Sequence, residues 1–571
     1  MTSFIKVASK WRWIVGIIFF ILIVFLSLQL LINFNINPVL ENYTKKAIKD
    51  ATHNLYEVEF KEFHLNLATA TLHIKDLELR PDTVRYQELL AKDSADANLY
   101  WLTIPLVKIS RIGFMNAIFE KKLNVGEVKV KQPSLKVAHF PQVSDNDTTE
   151  VFDVKDLISG HFNSFRIKRI KLDDLSISYN VVEKDAPQPI LVNNIYLNLD
   201  NLYLDSANLN QSKFTDDINF SVHDFSYHLP DSLYIIKIKE VGISQSESII
   251  YLDSVELIPR FTSHEFFKKV GTQTDRITFK NKRIQLNQVN FKTLLGQQKL
   301  IAGSLQFEDN MVDVFRNKNY PENLIRRPKT LQKFLKELDF YLKIDTVKIL
   351  KTNVRYRENI GGSDQQAYID FNNIYASIYN LTNDPVINKE QRLMIDAQAT
   401  LLNSTLLKAH FNFDLSHPRD KYYLKGTVNP LNLTRFNDLL LPMASVKIED
   451  GKLLNATFSA TADDHEGTGT MEFKYDNLKI KILDPTGESG FKEKITSFVA
   501  NTFVVKKSNP NGGGLRLGEI NFQRDKSKSM FHFWGRMMLT GVASSVGISG
   551  DKVKTEVKNN EKEGKSNKRS I

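Results

Sequence analysis

Twelve histidines and a complete absence of cysteine limit the chemistry open to this chain. Without cysteine there is no disulfide, no thiolate nucleophile and no sulfur-ligated zinc or iron site. None of the histidines falls in a His-Glu-x-x-His pattern or in a pair at helical spacing. His223 and His228 lie five residues apart in strand-like sequence, so simple alternation sends them to opposite faces. The densest group of ligand-type side chains is "ADDHEGTG", Ala462 to Gly469, with Asp463, Asp464, His465 and Glu466 together. It sits between two alternating stretches, and we read it as an exposed hairpin tip rather than a metal or acid/base centre. Gly467-Thr468-Gly469 lacks the strand-turn-helix setting of a phosphate loop, and "GGSDQQ" at Gly361–Gln366 does not match a nucleophile elbow. No catalytic, metal or cofactor site is expected.

Charge leads no further toward chemistry. The net +10 is spread among acidic residues, with no dense basic stripe interleaved with aromatics, so nucleic acid is not an expected partner. With 42% apolar and 25% charged residues, the chain as a whole has the composition of a folded protein.

If side chains do not carry chemistry, their patterning must carry function. No residue from Trp13 to Ile32 is charged. Twenty residues at about 1.5 Å each span the roughly 30 Å apolar core of a bilayer, so a transmembrane helix is expected over 13–33. Lys6, Lys10 and Arg12 precede it, and the next basic residue is Lys45. That asymmetry predicts a cytoplasmic N-terminus, 1–12, with the rest of the chain across the membrane.

A short helix should follow within "NPVLENYTKKAIKDATHNLYEVEF", with Pro38 in its first turn, and from Val58 the apolar period becomes two. One template then recurs: apolar, x, apolar, four residues, apolar, x, apolar. It fits Val128-Val130 with Leu135-Val137, and Leu72-Ile74 with Leu77-Leu79 shows the same slip over a two-residue gap. It fits Ile170-Leu172 with Ile177-Tyr179, Ile195-Leu197 with Leu202-Leu204, and Val347-Ile349 with Val354-Tyr356. The gaps hold polar corners such as "KQPS" and "NLDN". Each is either a hairpin turn or a bulge that shifts the phase of a strand. We read "KLDDLSISY", Lys171–Tyr179, as a hairpin corner. About thirty such strands exceed one closed barrel, so the expectation is a mainly β fold: an elongated, curled antiparallel sheet with an apolar groove on the order of 100 Å long. Helical spacing marks Thr83–Trp101 and Arg327–Leu342 as covering helices, Phe491–Val505 as a further helix, and the apolar segment ending at Ile548 as an interfacial or sheet-capping helix. The polar "SDNDTTE", Ser144–Glu150, reads as a loop, and 549–571 as a disordered basic tail.

The anchor followed by "EVEFKEFHLNLATATLHIKDLEL", together with "GTVNPLNLTRFNDLLLPMASVKIEDGKL" and "GTGTMEFKYDNLKIKIL", resembles the AsmA-like family of bacterial envelope proteins, distant relatives of TamB and the bridge-like lipid-transfer groups. The resemblance implies a β-rich region over 34–424, a C-terminal β region over 425–548, inner-membrane anchoring and a periplasmic bulk. It implies phospholipids as partners, with outer-membrane or other envelope proteins beyond them, and a role in outer-membrane lipid homeostasis and assembly. The groove-lining residues expected from the template are Leu72, Ile74, Val128, Val130, Ile170, Leu172, Ile195, Leu197, Val347 and Ile349. The rival expectation is a non-transporting scaffold, whose sheet is filled by its own side chains.

Overall fold

The structure, a computed structural model, describes residues 36–92, 94–143, 163–183, 189–205, 217–229, 233–323, 325, 327–360, 366–483 and 505–547. The expected transmembrane helix, the segment before it, the Ser144–Glu150 loop, nearly all of the Phe491–Val505 helix and the tail lie outside them. Among the described residues, 58% are in strands and 18% in helices, so the mainly β expectation holds. No described helix is long and apolar enough to cross a membrane. The chain forms two compact units, Met1–Ser232 with Ile236–Leu252, and Leu233–Ile235 with Asp253–Ile571.

In the first unit, α1 (Ile36–Ala51) packs on β1 (Tyr56–Glu59) and β2 (Glu62–Asn66). Both strands pair with β3 (Thr71–Pro81), one after the other along its length. Then follow α2 (Thr83–Leu90), β4 (Asn98–Ile112), α3 (Phe114–Glu120), β5 (Lys122–Lys131), β6 (Ser134–His139), β7 (Ser164–Val181), β8 (Ile190–Asp205) and β9 (Asp217–His228). The "KQPS" corner does not turn the chain back. It separates β5 from β6, which lie in line and pair with successive halves of β4 and β7. Both pair with β7 in parallel, which corrects the all-antiparallel expectation. A parallel neighbour needs a crossover of a dozen or more residues, and the segment between β6 and β7 has that length.

The strands β10 (Tyr234–Ser244) and β11 (Ile249–Pro259) contain the points where the chain changes unit. The second unit continues with α4 (Ser263–Val270), β12 (Asp275–Asn287), α5 (Phe291–Gln297), β13 (Lys299–Asn317), α6 (Leu331–Lys336), β14 (Tyr341–Asn359), β15 (Gln366–Thr382) and α7 (Ile387–Glu390). After these come β16 (Leu393–Leu401), β17 (Thr405–Phe413), β18 (Tyr422–Val428), β19 (Leu431–Asn432), α8 (Asn437–Ala444), β20 (Val446–Ala462), β21 (Glu466–Ile482), β22 (Leu517–Gln523) and α9 (Met530–Ser545). Here β13 and β14 are parallel, joined by the crossover that carries α6. Residue 425 falls within β18. Two helices are shorter than their sequence spacing predicts. Asn98–Trp101 opens β4 and Tyr341 opens β14, because strand pairing there outweighs local helical preference.

The four-residue gap of the template has a different cause from a turn. "KLDDLSISY" lies inside the single strand β7, and Asp174 there has φ +60°. The same left-handed backbone occurs at Asp76 in β3, Asp224 in β9, Asp309 in β13, Lys351 in β14 and Asn373 in β15. One such residue shifts the side-chain phase by one. In β3 this turns Leu72, Ile74, Leu77 and Leu79 all to one side, and all four are buried. Asn and Asp tolerate this conformation better than other non-glycine residues, which explains the polar gaps. Lys351 lacks that advantage but is held by Asp309 at 2.9 Å.

Asp174→Val is therefore expected to destabilise the protein by about 1–2 kcal/mol, and Asp174→Gly to leave it near neutral. Chemical denaturation of the two variants checks this. Equal losses would mean that the carboxylate matters rather than the backbone.

Candidate functional site

Strand register converts the template into rows of side chains that share a face. In the first unit one row reads Phe63–Ile74–Val107–Val130–Leu172–Leu197–Phe220. The next reads Leu65–Leu72–Ile109–Val128–Ile170–Leu199–Ile218. Six of the expected groove residues thus align in these two rows with Leu197, and Ile195 lies between Leu175 and Val222 in a third. They form one closed core: Leu72, Ile74, Val128, Val130, Ile170, Leu172 and Ile195 are all at most 8% exposed. Only toward β8 and β9 does the packing loosen, where Leu197, Leu199 and Phe220 are half-buried. As packed, the seven buried side chains hold the unit together and present no surface to a ligand.

The second unit differs. One row runs Leu286–Leu305–Val347–Ile378–Ile395–Phe411–Leu424–Ala460–Gly469–Ile520, from β12 to β22. Beside it runs Ile284–Phe307–Ile349–Ala376–Ala397–Ala409–Gly426–Phe458–Met471–Gly518. Val347 is buried, but Ile349 and most of both rows from β12 to β17 remain half-exposed. Across the kink the face continues as Phe279–Val312–Val354–Phe371 and Ile277–Val314–Tyr356–Ile369, again half-exposed. This is an aliphatic and aromatic surface, several strands wide, left partly open to water. Monomeric soluble proteins rarely leave large contiguous patches of that kind without a purpose. Sequence alone could not find it, because Ile349 and Val130 occupy the same template position yet differ in what lies over them.

Two polar features mark the face. At the kink, Asn281 Nδ2 donates to Asn310 Oδ1 at 2.7 Å, and Asn310 Nδ2 donates to Thr352 Oγ1 at 2.6 Å. All three are buried, and Asn281 also donates to the carbonyls of Arg283 and Glu308. Beyond the Ile277–Val314–Tyr356 row, the same face ends in Asp275–Arg316–Glu358. Arg316 Nη2 lies 2.6 Å from Asp275, Lys318 pairs with Glu358, and the Tyr356 hydroxyl donates to Glu358 at 2.7 Å. Burial and the Glu358 carboxylate push the Tyr356 hydroxyl above its ordinary range. The open apolar surface thus has an ion-paired border.

The helix α9 closes the other end. Met537 packs where a Cβ on Gly467 would sit, and Gly541 lies against Met471 and Ile520. Trp534 packs tilted against Phe411, 4.7 Å between centroids, and its Nε1 donates to the Tyr422 hydroxyl at 2.9 Å. Ser544 Oγ and Thr540 Oγ1 accept from the backbone N–H groups of Glu519 and Asn521 in β22. The helix therefore seals the last strands and occupies edge donors that would otherwise invite another strand. The sheet-capping expectation for this segment is met.

On the opposite face, a concavity of about 860 Å³ is lined by Lys348, Lys408, Lys425, Asp396, His410, Tyr375 and Tyr423, among others. His410 Nδ1 lies 2.6 Å from Asp396, with Ser377 on the far side of the aspartate. A hydrolytic triad needs the histidine between serine and carboxylate, so this order does not activate Ser377. Asp463 pairs with Arg419, and Asp464 with Arg524 and Lys526, so both aspartates of "ADDHEGTG" are taken up in holding the β20–β21 tip. The kink at Asp224 puts His223 and His228 on the same face of β9, reversing the simple alternation, since Val222 and Phe225 both meet the core. No cluster of three metal-ligating residues occurs among the described residues.

No protein-family model matches this chain, and no curated protein matches it.

Gly518→Val should cost about 1–3 kcal/mol by overpacking, because a Cβ there meets the Gly541 carbonyl at 2.2 Å. Thermal or denaturant unfolding reads the loss. His532, near the start of α9, has its pKa lowered to about 4 by burial and by Arg536 and Lys528. The unfolded chain then binds the extra proton between roughly pH 6.5 and 4. The histidine's contribution is complete above pH 6.5 and falls by about 3 kcal/mol toward pH 4. His532→Gln should flatten that part of the stability–pH curve, and an unchanged slope would assign it to other groups.

Proposed function

We propose that this is a bilayer-anchored envelope protein that binds phospholipid acyl chains along the open apolar face of its second unit. The observation that carries the reading is the set of half-exposed apolar rows from β12 to β17. Each CH₂ laid on such a surface leaves water, at about 0.8 kcal/mol. A charged head group can stay in water at the ion-paired border, which avoids the cost of desolvating it. The uncharged Trp13–Ile32 run supports anchoring, and the Lys6, Lys10, Arg12 cluster supports a cytoplasmic N-terminus. The AsmA-like resemblance supports a bacterial inner membrane, a periplasmic bulk and a role in lipid traffic toward the outer membrane. The elongated groove belongs to this proposal. No phosphate-loop sequence is present, so on this reading movement is diffusive or driven by a partner. A scaffold for envelope proteins is the second reading, favoured by the closed core of the first unit.

Photo-crosslinking amino acids placed on adjacent strand positions separate the two. Ile349 and Ile395 face the apolar side, while Lys348 and Gln398 face the other. Probes at Ile349 and Ile395 should capture phospholipid in cells, and probes at Lys348, Gln398 and the sealed Val128 should not. Absence of lipid adducts at both apolar positions, in a chain that reaches normal levels, would leave the scaffold.

A further inference from the structure

We propose that one end of the first unit is a membrane-contact surface, where Met115 and Phe119 of α3 enter the head-group region of the bilayer that holds the anchor. This rests on the anchored reading above.

α3 is two turns long and apolar on both sides. Its inner side is fixed: Ala117 is fully buried, Phe114 packs on the core, and the Gly113 N–H donates to the Asn124 carbonyl at 2.8 Å. Its outer side carries Met115, 65% exposed, and Phe119, 74% exposed, one helical turn apart. Leu67, 56% exposed, lies in the β2–β3 turn. The Ile112 N–H donates to the Ala70 carbonyl at 3.1 Å, so that turn and the start of α3 share one end of the sheet. Three large apolar side chains therefore stand out from one end, and exposed Lys121 and Lys122 follow directly. Apolar side chains beside lysines fit the boundary between acyl chains and anionic head groups.

The course of α1 says which surface that end meets. Thr52 bonds to Tyr56, Lys49 pairs with Glu57, and Lys45 lies over Phe60. Going backward, α1 thus moves forward along β1 toward β2. Another nine residues, about 13 Å of helix, bring Ile36 alongside the end where β2 turns into β3. The uncharged Trp13–Ile32 run precedes Ile36 by only a few residues. Ile36, the first described residue, and the Met115–Phe119–Leu67 end are on the same side of the unit, so an anchor over 13–33 would be tethered at that end. A second copy of this chain or a soluble partner would have no reason to favour that end, whereas the tether brings the bilayer to it. The contact stands the strands of the first unit end-on to the membrane.

The absence of cysteine makes the test direct. The full chain is reconstituted in phosphatidylethanolamine–phosphatidylglycerol vesicles with a polarity-sensitive dye on Phe119→Cys, on Met115→Cys, or on Ser94→Cys. Ser94 is exposed and precedes β4, at the end opposite α3. Dyes at 115 and 119 should shift to the blue and be quenched by lipids with brominated acyl chains, while the dye at 94 does neither. A chain that floats with the vesicles but leaves the dyes at 115 and 119 as open to aqueous iodide as the one at 94 overturns this inference alone. A chain that does not float overturns the anchored reading with it.

Discussion

A sheet with one apolar face obliges every long strand to keep its apolar side chains on that face. Pure alternation does this only while the strand runs straight. Strands here run to nineteen residues, as in β13 and β14, and must bend. The left-handed residues at Asp76, Asp174, Asp309, Lys351 and Asn373 supply the bend and reset the phase in the same step. Without the reset, Leu77 and Leu79 would turn outward while Leu72 and Ile74 stayed in. In β12, β13 and β14 the bend is also tied from inside, through Asn281, Asn310 and Thr352. The Asn281 and Asn310 amide N–H groups are paired at the kink, with Asn310 Oδ1, Thr352 and the backbone carbonyls, while the buried Asn281 Oδ1 has no hydrogen-bond partner among the described residues.

Given one apolar face, what differs between the units is what covers it. In the first unit the apolar side chains of the strands pack together with those of α1 and α3, and the rows through Ile74 and Leu72 become a core. In the second, α9 covers only the last strands. Its fit depends on Gly518 and Gly541, which let helix and sheet approach to backbone contact. The cover stops near β17, and from there back to β12 the same kind of row stays half-exposed. The cap also removes a hazard. An open apolar face beside an unprotected edge strand would aggregate, and Ser544 and Thr540 take up the β22 donors that such pairing needs.

The sequence showed the rows more clearly than the strands. Ile74, Val130, Leu172 and Leu197 were matched by spacing alone, and register does place them in one line. It misled on the gaps, because a hairpin corner and a phase-shifting kink draw on the same residues, Asn and Asp, for the same backbone reason. It missed the parallel pairs because the apolar spacing of a strand is the same beside a parallel as beside an antiparallel neighbour, even where the crossover before β14 carries a legible helix. It could not separate lining from core, since burial depends on what packs over a residue. The hairpin tip at Asp463–His465 was legible because two alternating stretches flank it at short range.

On the proposed reading, the layout also bears on how a lipid would move. A binding site for one lipid needs a deep, closed pocket, but a path needs many shallow positions of nearly equal energy. Rows such as Leu286–Leu305–Val347–Ile378–Ile395 repeat similar side chains at strand spacing, about 4.8 Å apart. A step of one strand exchanges one set of aliphatic contacts for another with little change in area, so no single position traps the chain. The half-exposed state serves the same end: each side chain already meets water, so vacating a position re-exposes only part of it. In the buried Asn281–Asn310–Thr352 line the amide N–H groups are turned to side chains and backbone rather than toward the passing chain. The ion-paired border Asp275–Arg316–Glu358 gives the head group a polar edge along β12 to β14, so displacement along the rows there leaves the surroundings of acyl chain and phosphate nearly unchanged.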